Sequence, residues 1–352
     1  MPAKKEIKSL TLSEIKNWFN KRDIPDYRAD QIFNWLYKNN VQQFSEMGNL
    51  PTGIIELLEE EFVINSLVCK DQQFAEDGTI KYLWQLTDGQ KIESVFLPYE
   101  QSGRNSVCVS SQVGCELGCE FCLTGKQGWQ RNLSVAEIVD QVLKIQKLQT
   151  EQATDSEKQV KINNIVFMGM GEPLLNLPAV LTAISIFNND RGLNIGQRRI
   201  TVSTAGIIPG IKKLTALKMQ VGLAVSLNAP TDRIRNQIMP VNKKYSLDNL
   251  LQVVKKYIEV TGRRVTFEYV LIKNVNDSPV QAQKTAELLQ DLMCHVNLIP
   301  LNTSSRLPWQ PPGEKRIRSF KNELENCGIN VTLRASKGDD IQAACGQLKG
   351  SR

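Results

Sequence analysis

Cys115-Glu116-Leu117-Gly118-Cys119-Glu120-Phe121-Cys122 is the stretch on which the reading of this chain turns. Three cysteines spaced CxxxCxxC follow a strand-like run, VCVSS at 107–111. A closed structural zinc site takes four ligands, and iron–sulfur clusters are held by four cysteines as a rule. A fourth ligand is hard to find. The single histidine, His295, lies in the strand-like run HVNLIPL, where the plain reading is a core or strand-end residue. Three thiolates on a four-iron cube leave one iron open, and an open iron can bind and activate a small molecule. Structural or zinc-binding cysteines remain the alternative at this point.

Outward from the cysteines, strand and helix patterns alternate. Strand candidates are VCVSS, NIVFM (164–168), RITVS (199–203), GLAVSL (222–227), VTFEYVLI (265–272), VNLIPL (296–301) and NVTLR (330–334). Helical stretches lie between them. One is SVAEIVDQVLKIQKL, where Ser134 and Glu137 fit a capping box, and another is SPVQAQKTAELLQDL. Such alternation predicts an α/β fold: a parallel sheet with crossover helices, barrel-like or doubly wound. Chemistry then collects at the carboxyl ends of the strands. The polar run TEQATDSEKQ, 150–159, reads as a surface loop.

The N-terminal part has a different rhythm. Thr11 and Glu14 fit a capping box opening TLSEIKNWFNKR, YRADQIFNWLYKNN carries Ile32, Phe33, Leu36 and Tyr37 on one face, and PTGIIELLEEEF starts a third helix at Pro51. These define a helical unit over 1–64. Three strand-like runs, SLVCK, TIKYLWQL and KIESVFL, are separated by Asp77-Gly78 and Asp88-Gly89 and predict a β-meander linker over 65–100. The main domain then occupies 101–352.

Composition sets outer bounds. Of 352 residues, 41% are hydrophobic and 23% charged, as in a soluble globular protein, and the net charge of +6 permits an anionic partner without demanding one. No apolar run approaches the roughly 20 residues of a membrane span. The opening MPAKKEIKSLTLSE has no apolar signal core. The expected location is the cytoplasm, whose reducing conditions argue against the eight cysteines being a disulfide framework.

A glycine-rich turn follows the second main strand: Gly169-Met170-Gly171-Glu172-Pro173. Glycines allow close backbone approach to a ligand, and a carboxylate there could pair with an amine. Alone, the turn is equally a tight strand-to-helix connection.

The cysteine motif in this setting resembles the radical S-adenosylmethionine (SAM) superfamily, in which the open iron chelates the amino and carboxylate groups of SAM. The segments CVSSQVGC, GMGEPLLN, INVTLRASKGDDIQAACGQL and YRADQIFNWLY together resemble the RlmN/Cfr family of RNA adenine methyltransferases, on its C2-methylating branch. The similarity extends over nearly the whole chain. It implies a partial β/α barrel with a small N-terminal helical accessory domain that binds RNA. It also implies one 4Fe-4S cluster on Cys115, Cys119 and Cys122, and two SAM molecules per turnover. Gly171, Glu172, Ser203, Ser226, Leu227, Asn228 and Asn302 match SAM-contacting positions. The family often carries His where this chain has Asn228, so a contact there would run through the backbone.

Cys345 matches a cysteine that is itself methylated, Cys108 a second catalytic cysteine, and Glu93 a residue assigned as a base. The implied route suits the chemistry. Carbon 2 of adenine is electron-poor and is no nucleophile for ordinary methyl transfer. A methyl on Cys345 becomes a carbon radical, adds to the base, and is released when the Cys108 thiolate attacks, leaving a Cys108–Cys345 disulfide to be reduced. The implied partners are 23S ribosomal RNA near the peptidyl transferase centre, transfer RNA at the adenine next to the anticodon, and an electron donor such as flavodoxin or ferredoxin, with no membrane and no DNA.

Without the resemblance, Cys108 and Cys345 would read as small buried apolar residues and Glu93 as a solvated strand residue. The buried reading is kept for Cys69, Cys294 and Cys327. Lys126, Arg131, Arg198, Arg199, Lys243 and Arg263 lie near the expected active face and are candidates for phosphate contact. Two rivals stand beside this reading. A C8-methylating relative of the Cfr type shares the cysteines, but Gly171-Glu172-Pro173 and Gln127–Asn132 sit nearer the C2 branch. A non-catalytic metal-bearing RNA-binding module leaves the SAM motifs and Cys345 unexplained. Replacing Cys115, Cys119 and Cys122 together with Ala is expected to remove iron, brown colour and reductive SAM cleavage at once, and cleavage persisting in the triple variant would overturn the cluster assignment.

Overall fold

In the computed structural model, which describes residues 4–64, 67–99, 103–153, 160–304, 307–334 and 337–350, the N-terminal unit closes on itself. Strand β1 (Lys5–Glu6) pairs in parallel with β2 (Phe62–Val63), across helices α1 (Leu12–Asn20), α2 (Tyr27–Asn34) and α3 (Thr52–Glu61). Thr11 and Glu14 form the expected capping box. The turn after α2 widens to a π-type turn over Trp35–Asn39 and stops at Asn40, in the left-handed region at φ 51°. Trp18 packs edge-on against Phe19 and Phe62, with ring centroids 5.0 and 5.1 Å apart.

The meander follows as β3 (Val68–Phe74), β4 (Ile80–Gln85) and β5 (Lys91–Tyr99), joined by the two Asp-Gly turns, in which Gly78 and Gly89 take positive φ. Strand β5 pairs antiparallel with β6 (Arg104–Cys108), so these strands are continuous with the main sheet. A separate hairpin, β7 (Gln112–Gly114) with β8 (Trp129–Asn132), brackets the cysteine loop and the short helix α4 (Leu123–Gln127). That hairpin is not anticipated above, because runs of three and four residues carry no readable alternation.

From there the chain winds through α5 (Val135–Gln152), β9 (Asn164–Phe167), α6 (Leu177–Asn188), β10 (Ile200–Thr204), α7 (Ile208–Ala216) and β11 (Gly222–Ser226). It continues through α8 (Asp232–Ile238), α9 (Leu247–Thr261), β12 (Val265–Leu271), α10 (Pro279–Leu289), β13 (Cys294–Pro300), α11 (Glu314–Asn326) and β14 (Val331–Leu333). The sheet order is β14-β13-β12-β11-β10-β9-β6-β5-β4-β3, with every pair from β6 to β14 parallel. A doubly wound sheet reverses its strand order at a switch point. This one advances in a single direction, and its two outer strands, β14 and β3, do not pair. The architecture is therefore a partial β/α barrel.

The Ser134–Glu137 capping box is present, and α5 runs on to Gln152. The start of the polar stretch read as a loop is thus helical, and its residues 154–159 lie outside the described residues. Among the described residues, no helix is long and apolar enough to cross a membrane.

One buried ion pair ties the N-terminal unit to the barrel. Lys8 Nζ lies 2.6 Å from Asp140 Oδ1 on α5, with both side chains almost wholly excluded from water. Asp140 Oδ2 accepts from the Leu67 amide at 3.1 Å, and Tyr37 Oη donates to the Lys8 carbonyl at 3.1 Å. Breaking a buried pair strands one charge in the interior, at a cost of about 3–5 kcal/mol. Asp140→Ala is expected to lose about that much in denaturant unfolding, and the double variant Lys8→Met/Asp140→Leu to recover most of it.

Candidate functional site

The carboxyl ends of β9, β10, β11, β12 and β13 open onto one cavity of about 930 Å3, counted out to its mouth. Cys115, Cys119 and Cys122 line it from the cysteine loop. The loop's course depends on Gly114, at φ 73°, where a Cβ would fall 1.8 Å from the Gly128 carbonyl. Cys115 N donates to that same carbonyl at 3.0 Å, and Glu120 N reaches the Ile238 carbonyl at 2.9 Å. The loop is thereby fixed both to its hairpin and to the end of α8.

Burial pushes the Cys115 thiol up to about 12, the Cys119 thiol well above its usual value, and Cys122 upward too. Cys119 also feels Cys122 and Cys115. Thiols held in this way keep their protons until a metal displaces them. Among the described residues no three ligands converge tightly enough for a single ion. Three thiol donors from one loop, all lining one chamber, are the soft ligands an iron–sulfur cluster takes. The donor set therefore fits an iron–sulfur cluster.

Gly171 and Glu172 line the cavity at the end of β9. Gly171 sits at φ 96°, and a Cβ there would come within 2.5 Å of the Gln112 side chain. Glu172 is buried. Its Oε1 accepts from Leu174 N at 3.0 Å and its Oε2 from Ala205 N at 2.8 Å, linking the β9 turn to the end of β10. Burial outweighs those bonds and raises the carboxyl to about 7.

Ser203, Ser226, Asn228 and Asn302 line the same cavity. Leu227 is fully buried and does not line the cavity; its N–H donates to the Glu268 carbonyl at 3.0 Å and its carbonyl accepts from Ala229 N and Arg235 Nε. Asn228 adopts φ 58°. Its Oδ1 accepts from Val270 N at 2.8 Å, and its Nδ2 lies 3.2 Å from Met239 Sδ, so the side chain braces β11 against β12.

A neighbouring chamber of about 520 Å3 is lined by Cys108. The two chambers share Met168, Ile299, Asn302, Arg334 and Cys345 in their walls. Cys345 thus faces both the cysteine loop and Cys108. Burial, reinforced by Cys345, pushes the Cys108 thiol up to about 12, and the Arg334 guanidinium acts against this. Both cysteines are free thiols.

The segment carrying Cys345 is pinned on several sides. Asn302 Nδ2 donates to the Cys345 carbonyl at 3.0 Å, Leu123 N to the Gly346 carbonyl at 2.8 Å, and Thr124 Oγ1 to the Leu348 carbonyl at 2.6 Å. Glu93 Oε2 accepts from Lys349 N at 2.7 Å and Gly350 N at 3.2 Å, while Glu93 Oε1 lies 3.5 Å from Lys81 Nζ. Glu93 is buried rather than on a solvated face. It lines a separate cleft with Lys81 and Lys349, not the two cysteine chambers.

Three residues of the site escape the sequence reading. Arg235 is fully buried and donates to the carbonyls of Ala205, Ser226 and Leu227 at 2.7–3.0 Å, gathering the ends of β10 and β11. Burial lowers it to about 10, against the pull of Cys119. In TDRIRNQI it looks like any helical surface charge. Arg334 sits inside a quoted motif and could have been singled out. Glu268, buried on β12, is hidden in an apolar run.

Some expectations need correction. Cys327, at the C-terminal cap of α11, is exposed, Cys69, on the edge strand β3, is half-buried, and only Cys294 is buried. Arg131 pairs with Glu137 and Asp88 at 2.6–2.8 Å, and Lys126 pairs with Glu120, in ion pairs that remain partly exposed.

Because Arg334 opposes the burial of Cys108, Arg334→Gln is expected to slow alkylation of Cys108 in cluster-free protein at fixed pH, and Arg334→Lys to preserve the rate. Equal rates in wild type and Arg334→Gln would show that the guanidinium does not act on the thiol.

Comparison with known proteins gives the family and the fold. The Radical SAM superfamily matches residues 109–286, and the ribosomal RNA large subunit methyltransferase N-terminal domain matches residues 5–64. A protein of Bacillus velezensis described as a probable dual-specificity RNA methyltransferase RlmN is 46% identical over 97% of this chain and 92% of its own length. The Bacillus subtilis protein of the same description is 44% identical over the same shares. A crystal structure of a radical SAM methyltransferase from Sphaerobacter thermophilus superposes with a TM-score of 0.92 at 42% identity, covering 99% of this chain and all of that one.

Proposed function

Since the chain belongs to the RlmN family of radical SAM RNA methyltransferases, we propose that it methylates carbon 2 of an adenine in 23S ribosomal RNA and of the adenine next to the anticodon in transfer RNA. Membership brings a 4Fe-4S cluster, SAM and an RNA substrate with it. The observation that carries the finer reading is the position of Cys345, in the wall common to the cysteine-loop chamber and the Cys108 chamber.

The cluster with SAM, when bound on Cys115, Cys119 and Cys122, supplies one-electron cleavage chemistry and the methyl group, with two SAM consumed per turnover. The electron comes from a small redox protein of the flavodoxin or ferredoxin type. The chain's own residues do the rest. The turn at Gly171 and Glu172, with Ser203, Ser226, the Asn228 backbone and Asn302, receives SAM. Cys345 carries the methyl as a thioether: its sulfur gains the carbon and loses a proton. Arg334, which lines both chambers and acts against the burial of Cys108, favours the thiolate form of Cys108.

After the base is joined through the methylene to Cys345, the Cys108 thiolate attacks the Cys345 sulfur. The S–S bond forms as the carbon–sulfur bond breaks, and the electron pair stays with the departing carbon, which takes up a proton to complete the methyl group; the unpaired electron left by radical addition would pass back to the cluster held on Cys115, Cys119 and Cys122. Glu93 takes the C2 proton. The helical unit at 1–64 is the accessory surface for RNA. The target base leaves its stack to reach a buried site, as base-modifying enzymes require.

The two cysteines fail differently when replaced. Cys345→Ala has no sulfur to methylate and is expected neither to transfer methyl nor to attach to RNA. Cys108→Ala is expected to accumulate a covalent protein–RNA adduct, seen as a nuclease-sensitive shifted band on a denaturing gel. Both should keep their iron. Normal turnover by Cys108→Ala, adduct formation by Cys345→Ala, or a C8-methylated product by mass spectrometry would each overturn this reading.

A further inference from the structure

Four buried side-chain polar atoms have no hydrogen-bond partner among the described residues, and only one of them, Glu268 Oε2, belongs to a residue lining the cysteine-loop chamber. The residue is 5% exposed. An unmet carboxylate oxygen in such a place costs more than an unmet neutral group. A fold that retains it has a use for an acceptor there.

The surrounding bonds fix which way the carboxylate faces. His295 Nε2 lies 3.1 Å from Asn297 Oδ1, and Asn297 Nδ2 donates to Glu268 Oε1 at 3.1 Å. One oxygen is thus committed to β13 and the other is left over. Ser226 stands opposite Glu268 in the β11–β12 register, so the two side chains share a face of the sheet, and both line the chamber. Val270, Ile299 and Leu301 continue the same wall as an apolar surface. A hydroxyl beside a carboxylate, flanked by aliphatic side chains, matches a nucleoside: sugar on the polar pair, ring on the aliphatic wall.

We propose that Glu268 is a SAM-binding residue whose free Oε2 accepts a hydrogen bond from the ribose hydroxyls, next to Ser226. The assignment rests on the radical SAM reading above. SAM carries three kinds of donor. Its ammonium goes with the carboxylate to the cysteine-loop end, and its adenine amine can be met by backbone carbonyls. The vicinal hydroxyls are the group that an acidic side chain meets in other nucleotide sites. Burial raises the Glu268 carboxyl while the Arg334 charge and the Asn297 bond hold it down. The charged form is the better acceptor.

Glu268→Gln is the discriminating change. Asn297 Nδ2 needs an acceptor, so the Gln carbonyl turns to Asn297 and its NH2 faces the chamber, where it cannot accept from a hydroxyl. Cluster-reconstituted protein, without RNA, is titrated with SAM and with its 2′-deoxy and 3′-deoxy analogues by calorimetry. Wild type is expected to bind SAM about tenfold to a hundredfold more tightly than Glu268→Gln does, the range for one charge-assisted hydrogen bond. It should prefer SAM over at least one deoxy analogue by a similar factor. The variant should not discriminate that analogue from SAM.

Equal SAM affinity in wild type and variant overturns the proposal, and so does an equal loss for SAM and both analogues. A variant that keeps SAM affinity but loses RNA affinity places the carboxylate on the target nucleotide and also overturns it. The wild-type titrations need no variant to fold: affinity for both deoxy analogues equal to that for SAM is sufficient to reject the assignment. A wild-type protein with its iron in place that binds no SAM would instead overturn the family reading beneath it.

Discussion

The active chambers exist only while the end of the chain stays docked on the cysteine loop. Residues 343–350 form no helix or strand, so their buried backbone groups depend on partners from elsewhere. Those partners come from far apart in sequence: the Leu123 amide and Thr124 hydroxyl behind the cysteines, the Asn302 side chain after β13, and the Glu93 carboxylate on β5. Together they set the depth and facing of Cys345. A side chain on a free tail would sample many positions, whereas here the backbone is tied on both sides of it. Glu93 therefore stands in two relations to the chemistry, as the proposed base and as an anchor of the segment bearing the methylated cysteine.

Around this segment the interior is unusually charged for a sheet-lined cavity. Arg235 replaces solvent for three strand-end carbonyls beneath the cysteine loop, and Arg334 faces the two reactive thiols from β14's end. Glu172 and Glu268 sit across from them at the ends of β9 and on β12. Burial shifts most of them: both carboxyls and the Cys108, Cys115, Cys119 and Cys122 thiols move upward and Arg235 downward, whereas its charged neighbours hold Arg334 up. A site poised to receive charged ligands keeps its own charges only partly compensated, and the imbalance is largest before the ligands arrive.

Much of this was readable from residue order. The alternation from residue 104 onward announced the β/α repeat, the Asp-Gly pairs marked the meander turns, and Thr11, Ser134 and their glutamates marked helix starts. The cysteine spacing and the glycine turn located the cavity. What stayed hidden depended on distant pairing. Sequence could not tell barrel from doubly wound sheet, because that is decided by which strand lies beside which. Arg235 and Arg131 have the same local signature as solvated helix and strand charges, yet one is fully buried and the other is locked between two carboxylates. Glu93 and Glu268 fall within strand runs whose periodicity says nothing of the tail amides or empty acceptor they face.

An unclosed barrel also has borders to protect. A sheet whose outermost strands carry unpaired amides is a template for another chain to add to. Here one border, β14, is only three residues long. The other, β3, changes register between Cys69 and Asp71 against its neighbour and carries Lys70, Asp71 and two glutamines along seven residues. Irregular, charged and short edges resist zipping to a copy of themselves. Both borders of the open barrel are thus poor templates for edge-to-edge pairing.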